Sequence, residues 1–144
     1  MDPRVAKLKT PKECEIFAKN ARERGAPELA DEARQRAVQL RAEAHGATTD
    51  VERECLEAVY AYEEVLSAQK GKKVPAGRTW PMIDEYGVIP AVERIVMKRQ
   101  ESVGFTALAE MGLEDFAFEA VILRHPEQFT AAAVARSRER LGKI

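Results

Sequence analysis

The sequence predicts an all-α domain, and three observations carry that expectation. Alanine, the strongest helix former, occurs 23 times in 144 residues. Val, Ile and Thr rarely alternate with polar residues, so strands have little support. Capping residues and prolines open segments that glycines close, at helix-length intervals. The expected layout is an N-terminal antiparallel hairpin and a third helix, joined by a basic loop to a cluster of four or five helices.

Each element follows from local chemistry. Residues 1–9 read as a frayed tail. Thr10-Pro11-Lys12-Glu13 is a helix start, with Thr as N-cap, Pro in the first turn and Glu completing a capping box. Cys14, Phe17, Ala18 and Ala21 then share one face, and Gly25 stops the helix. Pro27 opens a second helix whose stripe is Leu29, Ala33, Ala37, Leu40 and Ala44, ending at Gly46. So short a break folds the two helices back as a hairpin. The pairing looks like one unit of a tetratricopeptide array, but no second copy follows at a fixed period, and solenoids need several units.

Thr49 and Glu52 form another capping box, opening a helix that buries Val51, Cys55, Val59, Tyr62 and Leu66 and runs to about Ala68. Thr79 is expected to cap a short helix over Trp80–Tyr86, closed by Gly87. Pro90 begins the next, with Val92, Ile95 and Val96 inward and Arg94, Lys98 and Arg99 outward. Thr106–Met111 supplies a turn or two, between Gly104 and Gly112. Leu113, Phe116, Ala117, Ala120 and Val121, widened by Phe118, Ile122 and Leu123, predict the central, most buried helix, ended by His125-Pro126. Thr130 caps a last helix with Val134 and Leu141 inward and Arg136, Arg138 and Arg140 outward. The length suits one domain, residues 1–144, with subdomains 10–68 and 79–142.

Composition narrows function mainly by exclusion. Apolar residues at 45% and charged residues at 33% suit a folded soluble chain, and a net charge of -1 exerts no global pull on nucleic acid or membrane. The N-terminus lacks a signal-peptide apolar run, and the best apolar patch, Phe116–Leu123, is too short to span a bilayer. Cys14 and Cys55 are isolated, which fits a reduced cytoplasmic setting. No HExxH, phosphate loop, nucleophile elbow or Glu-x-x-His is present. His45 and His125 sit at helix ends with nothing to bring them together, and both cysteines lie on apolar faces. A nucleophile at Cys55 or a pocket at His125 is the weakest functional option, and no catalytic residue, cofactor or metal is expected.

The local charge pattern is more informative. Gln69–Trp80, QKGKKVPAGRTW, contains Lys70, Lys72, Lys73 and Arg78 and no acid, and ends at the only tryptophan. Unpaired cations on a flexible loop suit phosphate contacts, and Trp80 suits stacking on an exposed base. The plain alternative is a solvated loop followed by a core tryptophan. Trp80–Val96 also has the outline of a helix-turn-helix, with Gly87 in the turn, Met82, Val88 and Val96 as core, and Arg94, Lys98 and Arg99 as contacts. Pro90, the short first helix and the acids Asp84 and Glu85 fit that motif poorly, and a structural corner is the simpler reading. The C-terminal arginines are accounted for by the helix dipole.

Two stretches resemble segments of a family of bacterial all-helical proteins. Residues 14–42, CEIFAKNARERGAPELADEARQRAVQLRA, resemble its N-terminal hairpin module, and segments within 78–129, RTWPMIDEYGVIPAVERIV and GFTALAEMGLEDFAFEAVILRHPEQF, resemble a companion segment. The resemblance implies no activity and no catalytic residues; it suggests an association with bacterial DNA processing or defence. The resulting expectation is an accessory or targeting domain that binds nucleic acid, DNA before RNA, without catalysis of its own. The rival is a homodimerisation or protein-interaction module using the alanine-rich hairpin.

Overall fold

The computed structural model describes residues 1–98 and 105–142. These form nine α-helices and two single 3-10 turns, with no strand among the described residues. In chain order the helices are α1 (Pro3–Ala6), α2 (Pro11–Glu23), α3 (Pro27–His45), α4 (Asp50–Lys70), α5 (Thr79–Tyr86), α6 (Val88–Lys98), α7 (Phe105–Glu110), α8 (Phe118–Arg124) and α9 (Ala131–Gly142).

Both capping boxes are present. The Glu13 and Glu52 amides donate to Thr10 Oγ1 and Thr49 Oγ1, each at 3.1 Å. Thr130 Oγ1 likewise accepts from the Ala133 amide. The tail is not frayed: Asp2 caps α1, and Val5 is fully buried. Burial of Val5, with the hydrogen bond that the Asp2 amide donates to Glu32 Oε1 at 3.0 Å, offsets the cost of ordering these terminal residues.

α4 is the hub of the fold. Cys55 to Val59 are five consecutive buried residues. They cover more than one helical turn, so this stretch is enclosed on all sides. Cys55, Ala58 and Val59 enter a core built with Ile83, Val92, Val96, Phe118, Val121, Ile122 and Val134. Ala61 and Val65 enter another, with Val38, Leu108, Leu113, Phe116 and Ala117. The proposed subdomain boundary at 69–78 therefore follows the chain rather than the packing, because α4 belongs to both halves.

The expected long central helix over 113–123 is divided. Glu114–Phe116 is a 3-10 turn, and Ala117 is extended (φ -61°, ψ 145°) before α8 begins. Across the break, Phe116 joins the core with Leu113, and Phe118 joins the other.

A third cluster closes the hairpin. Ala18, Ala21, Ala30 and Ala33 meet with Phe17 and Leu29 packed against them. The small side chains let α2 and α3 approach closely.

α9 differs from expectation. Arg140 points inward, with its side chain only 7% exposed, and pairs with buried Glu119 at 3.2 Å. A carboxylate set in the apolar face of α8 requires a buried cation, which outweighs the dipole role assigned to Arg140. Arg136 donates to the Met97 carbonyl.

Candidate functional site

The basic stretch is built on the end of α4. Lys70 is the last residue of that helix rather than part of the loop. Gly71 closes it in the left-handed conformation (φ 70°), its amide donating to the Ser67 carbonyl. The chain then turns back along the helix. The Val74 amide donates to Ser67 Oγ at 2.9 Å, and the Ala76 amide to Glu63 Oε2 at 2.7 Å. The Trp80 indole Nε1 donates to the same Glu63 oxygen at 2.6 Å. Ala76 is buried in the core. A loop expected to be flexible is thus anchored through backbone and indole hydrogen bonds.

Its cations are left outside. Lys70, Lys72, Lys73 and Arg78 are all exposed. Among the described residues, none of them has a carboxylate within 4.0 Å. Arg34, Arg41, Arg53, Arg124 and Arg140, by contrast, are all engaged in ion pairs.

Trp80 is half-buried and already has aromatic partners. The His45 imidazole stacks on it at 5.3 Å and 16°, and the Tyr60 ring lies 5.1 Å away, tilted by 52°. A nucleic-acid base seeking the face covered by His45 would have to displace that exposed imidazole.

The candidate residues border more than one feature of the surface. Lys73 lines a cleft with Tyr60 and Glu63, the two residues that hold Trp80. Arg78 borders a separate hollow of about 280 Å³ with Tyr62 and Leu66. At 100° per residue, those two sets of α4 side chains lie roughly 110° apart around the helix. Arg94 sits 3.8 Å over the Tyr86 ring, a cation–π contact that fixes it to the far end of α5. Lys98 is exposed at the end of α6. Arg99 lies outside the described residues.

Between α5 and α6 stands the single residue Gly87, where a helix-turn-helix has a turn of about three or four residues. The first turn of α6 presents half-buried Val88 and Ile89 with Pro90. Residues in the position of base readers therefore lack hydrogen-bonding side chains.

Sequence reasoning missed His45, Tyr60, Glu63 and Ser67. The last three share an i, i+3, i+7 face of α4, a signal visible in the sequence. Nothing local marks His45, which reaches Trp80 only once α3 and α4 fold together.

A second polar cluster joins α4 to the end of α8. His125 Nε2 and Arg124 Nε each lie 2.6 Å from a different oxygen of Glu54. Burial works to raise the Glu54 carboxyl, but the hydrogen bonds and charge of His125 and Arg124 outweigh it and hold the group below the usual range. Adjacent Cys55 is fully buried, and burial pushes its thiol up to about 12. Cys14 is buried and raised for the same reason. Neither thiol supplies a nucleophile at neutral pH. No group of three or more metal-ligating side chains occurs among the described residues, and no described helix is long and apolar enough to cross a membrane.

Within the alanine-rich hairpin, Ala18, Ala21, Ala30 and Ala33 pack against one another between α2 and α3. A second copy would have to use the outward face of the hairpin, where Ile16 is 53% exposed. Compared with protein-family models, curated proteins and solved structures, the chain matches none, so the functional reading rests on its own residues.

Proposed function

We propose that the chain binds the phosphate backbone of nucleic acid through the anchored loop, without base-specific readout and without chemistry of its own. The observation that carries this reading is the set of four exposed cations, Lys70, Lys72, Lys73 and Arg78, that no described carboxylate reaches. A phosphate approaching them has no internal ion pair to break. Anchoring at Ser67 and Glu63 limits the backbone entropy lost on binding. Arg78 has the planar fork that engages phosphate oxygens in pairs, and the lysines act as point charges. The apolar first turn of α6 argues for contacts that do not depend on sequence. Arg94, over the Tyr86 ring, and Lys98, one turn further along α6, form a separate set of cations. An accessory role beside a DNA-processing partner is consistent with this reading.

Fluorescence anisotropy with a labelled mixed-sequence duplex, titrated at rising salt, tests the proposal. Four phosphate contacts predict a loss of roughly a hundredfold in affinity between about 50 and 200 mM salt. Reversing Lys70, Lys72 and Arg78 to glutamate should abolish binding, whereas reversing exposed Lys12 and Lys19 on α2 should not. Absence of binding at the lowest salt, or equal losses from both sets of reversals, would refute it.

A further inference from the structure

A cleft of about 290 Å³ lies between the hairpin, the outer face of α4 and the returning loop. Glu15 comes from α2, Arg41 from α3, Tyr60, Glu63 and Glu64 from α4, and Lys73 from the loop. The charges divide into two kinds. Arg41 bridges Glu64 at 2.5 Å and Glu15 at 3.0 Å, so those three are satisfied by one another. Glu63 and Lys73 are not.

Glu63 accepts its two hydrogen bonds, from Ala76 N and Trp80 Nε1, on one oxygen, and both donors are neutral. Its Oε1 has no partner among the described residues, and its charge has no counterion within 4.0 Å. Lys73 lines the same cleft and is equally unpaired. The Gly71 amide, which donates to the Ser67 carbonyl, and the Val74 amide, which donates to Ser67 Oγ, tether the loop before and after Lys73, whose ammonium has no described carboxylate within 4.0 Å. Burial, and then the charge of Glu63, push the Tyr60 phenol up, which is the response of a neutral group to a negative potential in a partly desolvated space.

An uncompensated carboxylate and an uncompensated ammonium thus face one small cavity without closing on each other. A ligand carrying both opposite charges satisfies both; a ligand carrying one leaves the other exposed to a partly desolvated site. We infer that this cleft binds a small zwitterion of the amino-acid class, its ammonium on Glu63 beside the Tyr60 ring and its carboxylate on Lys73. The cleft shares only Lys73 with the proposed nucleic-acid surface; Lys70, Lys72 and Arg78 do not line it.

The test uses the intact chain, ¹⁵N-labelled, titrated by NMR with L-alanine and with 4-aminobutyrate. Propylamine and propionate serve as the single-charge halves. At least one zwitterion should shift the Ser67, Val74 and Ala76 amides saturably in the millimolar range, and each half should bind at least about tenfold more weakly. Glu63→Gln keeps an oxygen for both N–H donors, and Lys73→Met keeps the aliphatic stem. Each should weaken the zwitterion about tenfold, and Lys73→Met should leave the Trp80 fluorescence spectrum, which reports the anchored loop, unchanged. Lys72→Glu with Arg78→Glu should leave zwitterion binding intact even if DNA binding is lost. No saturable shift by about 100 mM of either zwitterion, where binding is worth less than ~1.4 kcal/mol, would overturn the inference. So would propylamine binding as tightly as the zwitterions, or indifference to Lys73→Met.

Discussion

The buried pair Glu119–Arg140 makes the sharpest energetic prediction. Both side chains are under 10% exposed, they meet at 3.2 Å, and they join α8 to α9. Arg140 Nη2 and the Ser137 hydroxyl, one turn earlier on α9, have no hydrogen-bond partner among the described residues. The pair is therefore incompletely satisfied, and its Coulombic gain is set against the cost of removing two ions from water. Glu119→Ala strands a guanidinium in the core, and Arg140→Ala strands a carboxylate. Breaking such a pair from either side costs about 3–5 kcal/mol, a large share of the ~5–15 kcal/mol typical of a domain. Replacing both, Glu119→Leu with Arg140→Met, removes the desolvation cost with the attraction. Buried pairs replaced by apolar residues of similar volume often leave stability unchanged or raise it by about 1–4 kcal/mol. The unpaired Nη2 points to the favourable end of that range. Urea denaturation at neutral pH, with slopes compared to confirm a common unfolding transition, gives all four corners of the double-mutant cycle. Should a single truncation fail to fold, Glu119→Gln keeps the shape and reports the charge alone. Single truncations costing under about 1 kcal/mol, or a double apolar variant as unstable as the singles, would refute the reasoning.

Two further predictions follow from the same kind of accounting. The Glu54 carboxyl is held below its ordinary range, so the folded state favours its ionised form. Its contribution is present above the unfolded-state pKa and is lost as pH falls through the lower folded value. Glu54→Gln should therefore cost about 1 kcal/mol at neutral pH, and its curve should converge with the parent's in acid, as followed by urea midpoints across pH. A Glu54→Gln penalty that persists undiminished in acid would contradict this. Gly112 adopts φ +70°, and a Cβ there would lie 2.6 Å from Asp31 Cβ on α3. Its carbonyl also accepts from Gln35 Nε2 at 2.8 Å. Gly112→Ala should thus destabilise by about 2 kcal/mol or more, through left-handed strain and displacement of α3. Thermal unfolding would show it, and an unchanged midpoint would mean that the turn does not press against the hairpin.

Much of the scaffold was legible in the sequence because its signals are local. Thr10 and Thr49 with their glutamates, Pro11 and Pro27, and Gly25, Gly46 and Gly87 act within one turn of themselves, so the helix ends they mark recur in the structure. The alanine seam is equally local, since α2 and α3 are joined by a short turn. The candidate site was legible only as charge: the run Lys70, Lys72, Lys73, Arg78 is visible as cations without acids, and those side chains are exposed.

Tertiary structure decided everything that required two distant segments to meet. Ala117 has no helix-breaking chemistry, yet it is extended, and Phe116 and Phe118 on either side of it enter different cores. Arg140 looks like a surface cation until Glu119, from α8, removes its access to water. The loop's rigidity comes from Ser67 and Glu63 rather than from its own residues, and Trp80 stacks on His45 from a helix two elements earlier. Capping and turn propensities are energies of neighbouring residues and are written in order along the chain. Burial and charge pairing are energies of proximity in space, and they acquire a value only when the helices pack.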